Sequence, residues 1–371
     1  MKFRMDREAL ADAVAWTARS LPSRPTVPVL AGLLLTVDGD TLTVSGFDYE
    51  VSARAEMAID AGDPGAALVS GRLLAEITRS LPAQPVQFAT EGTRVVLTCG
   101  TTRFALPTLL VDDYPTLPAM PEPAGSLESD VFAAAVAQVA LAAGRDDTLP
   151  VLTGVRLEIE GDALTLAATD RYRLAVRQLS WQPLQPGLST TALVPARTLA
   201  DTAKALATGP EVVLSLAIGT VGEGMIGFTG AGRRTTTRLL DGEFPKYRSL
   251  LPVESPASAL VTANHLVEAV KRVALVAPRS SPIRLSFAAG EVVLEAGGGD
   301  DAQATESLEA SYEGEPMTIA FNPGYLLDGL GAIDSDVARL ALTTPAKPAV
   351  ITGKEPESTY RYLLMPVRLA G

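Results

Sequence analysis

The sequence predicts an α+β chain of three tandem similar domains, each with two helices packed on antiparallel sheet. Three observations carry this. Residues 26 to 48, TVPVLAGLLLTVDGDTLTVSGFD, match residues 148 to 170, TLPVLTGVRLEIEGDALTLAATD, without a gap at an offset of 122, with 11 of 23 positions identical. Six stretches place apolar anchors at i, i+3 or i+4, i+7, and alternating β-rich segments lie between them.

Each copy of the repeat reads as a β-hairpin, because an apolar strand, a glycine turn and a second apolar strand follow one another. A third, weaker copy, IRLSFAAGEVVLEA at 283 to 296, has the same order with one extra residue before the turn. VDDYPTLP at 111 to 118 and DGEFPKYRSLLP at 241 to 252 mark matching domain ends, which gives domains at 1–121, 127–253 and 257–371.

The helical anchors are Leu10/Val14/Thr17, Leu74/Ile77/Leu81, Phe132/Val136/Val139, Leu199/Ala203/Leu206, Leu266/Val270/Val273 and Leu326/Leu330/Ile333. Asp6, Ser70, Ser129 and Thr262 are the expected N-caps of four, and Asn322 followed by Pro323 opens the last. One helix and about four strands therefore form a unit that occurs six times. A helix with one narrow apolar stripe lies on a sheet, and an antiparallel sheet can bury one face while the other meets water. Such units joined end to end can curve into an arc, and an arc with unlike ends closes into a ring by head-to-tail pairing.

Composition narrows the function. Hydrophobic residues make up 47% and charged residues 20%, enough for a folded core. No apolar run approaches the ~18 to 20 residues that a membrane helix needs, and Asp6, Arg7 and Glu8 interrupt any export signal, so a cytoplasmic chain is expected. A lone Cys99 and a lone His265 exclude a disulfide and a Cys/His zinc site and remove most nucleophilic mechanisms. His265 falls in a helix and reads as an exposed surface residue. No catalytic residue, metal or cofactor is expected.

The formal charge of −12 argues against nonspecific nucleic-acid binding on totals alone. Distribution qualifies it. Residues 297 to 315 hold six carboxylates and no base, whereas Arg72, Arg79, Arg197, Lys204, Lys271 and Arg272 lie on helical stretches that one concave surface could collect, with Arg279 close by. A literal G-x-G-x-x-G at 222 to 227 is followed by a threonine-rich strand rather than a helix, so it reads as a hairpin and not as a dinucleotide loop. Asp170, Arg171, Tyr172 and Arg173 follow a strand directly, and Asp170 can serve as a turn acceptor. The stretch from Tyr362 to Leu369 is apolar and contains Pro366, which suggests an edge strand and a groove for short apolar peptides.

Several of these motifs are similar to those of one family. Met1 to Phe3, Arg24 to Leu30, Ala168-Thr169-Asp170 with Arg173-Leu174-Ala175-Val176, Asp241-Gly242 with Phe244-Pro245 and Tyr247-Arg248, and Met365 to Leu369 resemble the bacterial DNA polymerase III beta subunit, the β sliding clamp, across essentially the whole chain. The resemblance implies a DNA-clamp fold of three domains and a head-to-tail homodimer enclosing duplex DNA without reading its sequence. It also implies a non-enzymatic role: an ATP-driven clamp loader opens and closes the ring, which tethers polymerase III, other polymerases and repair factors.

By the same resemblance the peptide pocket comprises Leu152, Thr169, Arg171, Tyr172, Arg173, Leu174, Pro245, Leu250, Leu363, Met365, Pro366, Val367 and Arg368. Arg24, Arg72, Arg197 and Lys271 would touch DNA phosphates. Arg103, Phe104 and Leu106 of one copy would meet Leu275 and Val276 of the other. The sequence departs from a common version of the family pattern at Arg171 and Tyr172, where Gly-His is frequent, and at Ser249, where an arginine can occur. A paralogous clamp kept for drug resistance or a specialised polymerase is the alternative reading.

Overall fold

The computed structural model describes residues 1–217, 224–252, 254–278, 281–298, 302–355 and 359–368. Arg279, Gly222, Leu369, three residues of the acidic segment (299–301) and the domain ends at 253 and 371 lie outside them. All six expected helices form: α1 (Arg7–Thr17), α2 (Gly71–Ser80), α3 (Ser129–Ala140), α4 (Ala196–Leu206), α5 (Ala263–Val273) and α6 (Pro323–Gly331). Their anchors are buried, with Leu10, Leu74, Phe132, Leu199, Leu266 and Leu326 all fully enclosed. Ile333 lies just past the end of α6, which closes at its C-cap, Ala332.

The start signals divide. Asp6 caps α1 by accepting from the Ala9 N–H at 2.9 Å, and Asn322 caps α6 by accepting from Tyr325 N–H at 3.1 Å, with Pro323 in the first turn. Ser70 and Thr262 occupy N-cap positions without a side-chain bond. Ser129 is a correction: it is the first residue of α3, and its buried hydroxyl has no hydrogen-bond partner.

The three hairpins form at the expected places, Gly32–Asp38 with Thr41–Phe47, Gly154–Glu160 with Ala163–Thr169, and Ile283–Ala288 with Glu291–Gly297. Gly39, Gly161 and Gly290 turn them at φ of 59°, 63° and 87°, a region open to glycine at little cost. The former G-x-G-x-x-G region is indeed a hairpin, Met225–Gly230 against Arg233–Arg238. Short 3₁₀ turns at Pro28–Ala31 and Pro150–Thr153, which the apolar periodicity does not foretell, precede the first two hairpins.

Every described strand pair is antiparallel, in sheets of fourteen, nine and four strands. The chain divides into two compact units, and the division runs through the central repeat. The first (Met1–Ala133, Gln182–Gln185, Asp201–Leu239) contains the fourteen-stranded sheet, in which Val51–Ala58 pairs with Arg233–Arg238. The second (Ala134–Trp181, Pro186–Ala200, Leu240–Gly371) contains the other two, and there Arg173–Ser180 pairs with Tyr360–Leu364. The third strand of the first repeat is thus bonded to the last strand of the second, and the third strand of the second to the last strand of the third.

One expectation fails here. Tyr360–Leu364 is an inner strand, bonded to Arg173–Ser180 on one side and to Ala349–Gly353 on the other. Pro366 lies beyond its end, so the ladder never needs the N–H that proline lacks.

Candidate peptide-binding site

In the second unit Asp170, Arg171 and Tyr172 connect Ala163–Thr169 to Arg173–Ser180, and side chains define the turn. Asp170 Oδ1 accepts from the N–H groups of Tyr172 and Arg173, both at 3.0 Å, and Oδ2 accepts from Arg173 Nε at 3.0 Å. Thr169 Oγ1 donates to the Arg173 carbonyl at 2.6 Å and accepts from Arg171 N–H at 3.2 Å. Arg171 is driven to φ 78°, a conformation that L-residues other than glycine rarely take.

Arg173 is the anchor. It is 5% exposed, donates to Asp328 of α6 at 2.5 Å, and stacks 4.4 Å from the centroid of the Tyr325 ring. Burial alone would make it a weaker base, but its bonds to Asp328 and Tyr362 outweigh that and hold its proton more tightly than usual.

A cavity of about 660 Å³ opens beside the turn. Leu149, Leu152, Tyr172 and Tyr325 supply apolar wall, while Arg145, Asp146, Asp170, Arg171, Asn322 and Asp328 supply polar groups. Thr148 bonds hold the Asp146 carboxyl below its ordinary range, with a smaller contribution from Arg171. Residues 365–368 run past this turn: Met365 N–H donates to the Tyr172 carbonyl at 2.9 Å and Val367 N–H to the Ala320 carbonyl at 2.8 Å.

An apolar cluster of Ala167, Leu174, Leu193, Phe244, Tyr247 and Leu363, edged by half-buried Val151, Val176, Leu240 and Leu251, lies in the same unit. Glu158 braces it. Its carboxylate accepts from Arg156 at 2.6 Å, Tyr247 Oη at 2.8 Å and Arg248 at 2.6 Å. Burial would raise the Glu158 pKa, but the bonds from Arg248, Tyr247 and Arg156 prevail and keep it below the ordinary value. Burial and Glu158 push the Tyr247 phenol up to about 12.

Of the expected pocket residues, Leu152, Arg171, Tyr172 and Arg173 line the cavity. Leu174 and Leu363 are 1% and 3% exposed, so they act as packing beneath a surface rather than as open contacts. Thr169 is buried and serves the turn. Leu250, Met365, Val367 and Arg368 are exposed and Pro245 is half-buried. The resemblance did not supply Asn322, the N-cap of α6, or Tyr325 and Asp328, whose i, i+3 spacing places them side by side on that helix.

The basic candidates are less uniform than the charge pattern suggests. Arg24 and Arg197 are exposed. Arg72 donates to the Pro22 carbonyl at 3.0 Å, Lys271 to Glu268 at 2.8 Å, and Arg272 to Glu306 at 2.5 Å. The acidic stretch therefore meets the basic face of α5 through Glu306 instead of standing apart from it.

For the subunit contact, residues 102–107 of the strand Thr102–Leu109 pair with Arg94–Cys99, and among the described residues only Thr108 and Leu109 are bonded on the other side, which leaves 102–107 as an open edge. Leu106 is 2% exposed, so its side chain belongs to the core, while its main chain lies on that edge strand. Phe104 is half-buried, and Arg103 is exposed and 3.3 Å from Glu91. Leu275 is 84% exposed and Val276 half-buried.

Three family models match in order: the DNA polymerase III beta subunit N-terminal domain at residues 1–118, its central domain at 126–246 and its C-terminal domain at 248–368. The chain belongs to the DNA polymerase III beta subunit family. Across the full length of both chains it is 58% identical to the beta sliding clamp of Streptomyces coelicolor. It is 46% identical to the beta sliding clamp homolog GriR of Streptomyces muensis, over 99% of each. The Pseudomonas aeruginosa sliding clamp bound to griselimycin superimposes with a TM-score of 0.90 at 30% identity, covering 100% of both chains. Like other beta subunits, the chain has three tandem domains; the 170–173 turn lies within the central one, and the strand that follows it pairs with Tyr360–Leu364 of the third.

Proposed function

We propose that this chain is the replicative DNA sliding clamp: two copies close head to tail around duplex DNA, and each offers its 152–174 and 363–368 surface to short motifs of client proteins. The observation that carries this is the match of three beta-subunit domains in order over the whole length, at 58% identity to a beta sliding clamp. The lower identity of 46% to GriR favours the replicative clamp over a paralogue. Domain limits of 1–121, 127–253 and 257–371 fit this reading.

The tether is topological, so the DNA contacts have to be weak. Arg24, Arg72, Arg197 and Lys271 touch phosphates and read no bases. That Arg72 and Lys271 are already engaged within the chain suits a lining that must let DNA slide. The free edge at 102–107 meets Leu275 and Val276 of the second copy. The clamp itself turns over no substrate and requires no cofactor; its partners are polymerase III, the clamp loader, and other polymerases and repair proteins, in the cytoplasm.

The test is primer extension on a primed circular template with polymerase III, loader and ATP. The chain lengthens products from short stretches to full circles, and the double variant Tyr172→Ser/Met365→Ser, which keeps the turn and core, loses that effect. Unchanged product length on adding the chain refutes the reading.

A further inference from the structure

The first repeat carries a second copy of the pocket's turn, without its anchor, since Val51 stands where Arg173 does. At the repeat offset of 122, Asp48, Tyr49 and Glu50 stand where Asp170, Arg171 and Tyr172 stand. Asp48 Oδ1 accepts from the N–H groups of Glu50 at 2.9 Å and Val51 at 2.6 Å, as Asp170 does in its own turn. Tyr49 has φ 74° against 78° for Arg171. The preceding 3₁₀ turn is copied as well: Leu30 N–H donates to the Val27 carbonyl at 3.0 Å, and Leu152 N–H to the Leu149 carbonyl at 2.9 Å. Leu149, Leu152 and Arg171 line the 660 Å³ cavity, so Val27, Leu30 and Tyr49 hold the equivalent positions in the first unit.

This framework presents apolar surface. Val27 is 43% exposed, Tyr49 48% and Leu110 71%. Tyr49 meets Phe47 edge-on at 5.4 Å, and Phe47 belongs to a cluster with Val29, Leu30, Leu68 and Tyr114 and half-buried Leu109, Val111 and Leu117, of which Val29, Leu109 and Val111 lie within two residues of Val27 or Leu110 in the chain. Tyr172, Leu250, Met365 and Val367, expected at the peptide site, are likewise exposed large apolar groups. A tyrosine held in the left-handed region with its ring half in water is a costly arrangement that core packing does not require.

The charges differ between the copies. Glu50, Asp112 and Asp113 are exposed carboxylates around the first, where Arg238 offsets part of the charge by lying 3.9 Å from Glu50 and donating to the Tyr49 carbonyl at 3.3 Å. Around the second the exposed charges are mixed, with Arg145, Arg171, Lys246 and Arg368 beside Asp146 and Asp328. We propose that the Val27, Tyr49 and Leu110 surface is a second docking site, which takes a short segment of a partner protein with one or two large apolar side chains followed by lysine or arginine. The inference rests on reading the 171–368 surface as a peptide pocket, because that reading gives the shared turn its purpose.

The experiment titrates the full chain into two fluorescein-labelled peptides, Gly-Leu-Phe-Lys-Lys and Gly-Leu-Phe-Glu-Glu, and follows anisotropy. The lysine peptide binds saturably; Tyr49→Ser/Leu110→Ser weakens it about tenfold or more, and Tyr172→Ser/Met365→Ser leaves it unchanged. Asp112→Asn/Asp113→Asn, which touches only exposed side chains, also weakens it and flattens its salt dependence. No saturable binding, a lysine peptide indifferent to Tyr49→Ser/Leu110→Ser, or loss of the lysine peptide in Tyr172→Ser/Met365→Ser overturns the second site. A glutamate peptide that is indifferent to Tyr172→Ser/Met365→Ser would instead count against the first pocket, so the two failures are distinguishable.

Discussion

Glu158 and Ser129 show two fates of a buried polar group. Glu158 satisfies three donors, so Glu158→Gln, which surrenders the charge and at least one of those bonds, should lower unfolding free energy by about 2 kcal/mol, read by urea denaturation at pH 7. Because the folded pKa lies below the ordinary 4.5, the charged form contributes stability above that value and loses it as pH falls through the folded value. The difference between wild type and variant should therefore be complete at neutral pH and shrink in acid. Tyr247, pushed up to about 12, behaves oppositely, and its contribution disappears only as pH rises from about 10 toward that value. Ser129 has no partner for its buried hydroxyl, so Ser129→Ala should be neutral or stabilising by about 1 kcal/mol, whereas loss of the Asp6 cap in Asp6→Ala should cost about 1 kcal/mol. Asp6 and Ser129, each a short polar residue before an apolar run, look alike as cap signals in the sequence; only the neighbouring backbone decides which one caps.

At the scale of elements, helices and hairpins were legible because an apolar stripe of period 3.6 and a strand–glycine–strand pattern are local signals. Leu199/Ala203/Leu206 needs nothing distant to be recognised. The Arg173 network was not legible, since Asp328 lies 155 residues beyond Arg173, with α4, α5 and the third hairpin between them, and nothing local links the two. Nor was the inner position of Tyr360–Leu364, because the proline that suggested an edge lies outside the strand. Packing of α6 on that strand gives a further test. A Cβ on Gly329 would come within 2.3 Å of the Tyr362 ring. Alanine gains about 1 kcal/mol in helix propensity, but overpacking a buried ring typically costs about 1 to 3 kcal/mol. Gly329→Ala should accordingly lower the melting temperature and, by shifting Tyr325 and Asp328, weaken peptide binding at the Arg171 cavity.

At the scale of the whole molecule, three domains became visible through one good repeat and one weak one, and the family match extends that to 1–118, 126–246 and 248–368. Charge was the least transparent property, because the −12 total says nothing of how individual bases are spent. Arg272 is bound to Glu306, while Arg24 and Arg197 remain exposed. The proposed dimer depends on apolar contact at Leu275, which is 84% exposed in the single chain. Leu275→Asp should shift light scattering from dimer toward monomer without lowering the melting temperature of the chain itself. The most direct test of the topological tether is retention on nicked circular duplex after treatment with loader and ATP, before and after the circle is cut once. The ring account predicts a dimer that stays on the circle through a high-salt wash and leaves within minutes of linearisation; equal retention on both forms, falling steeply with salt, would contradict it.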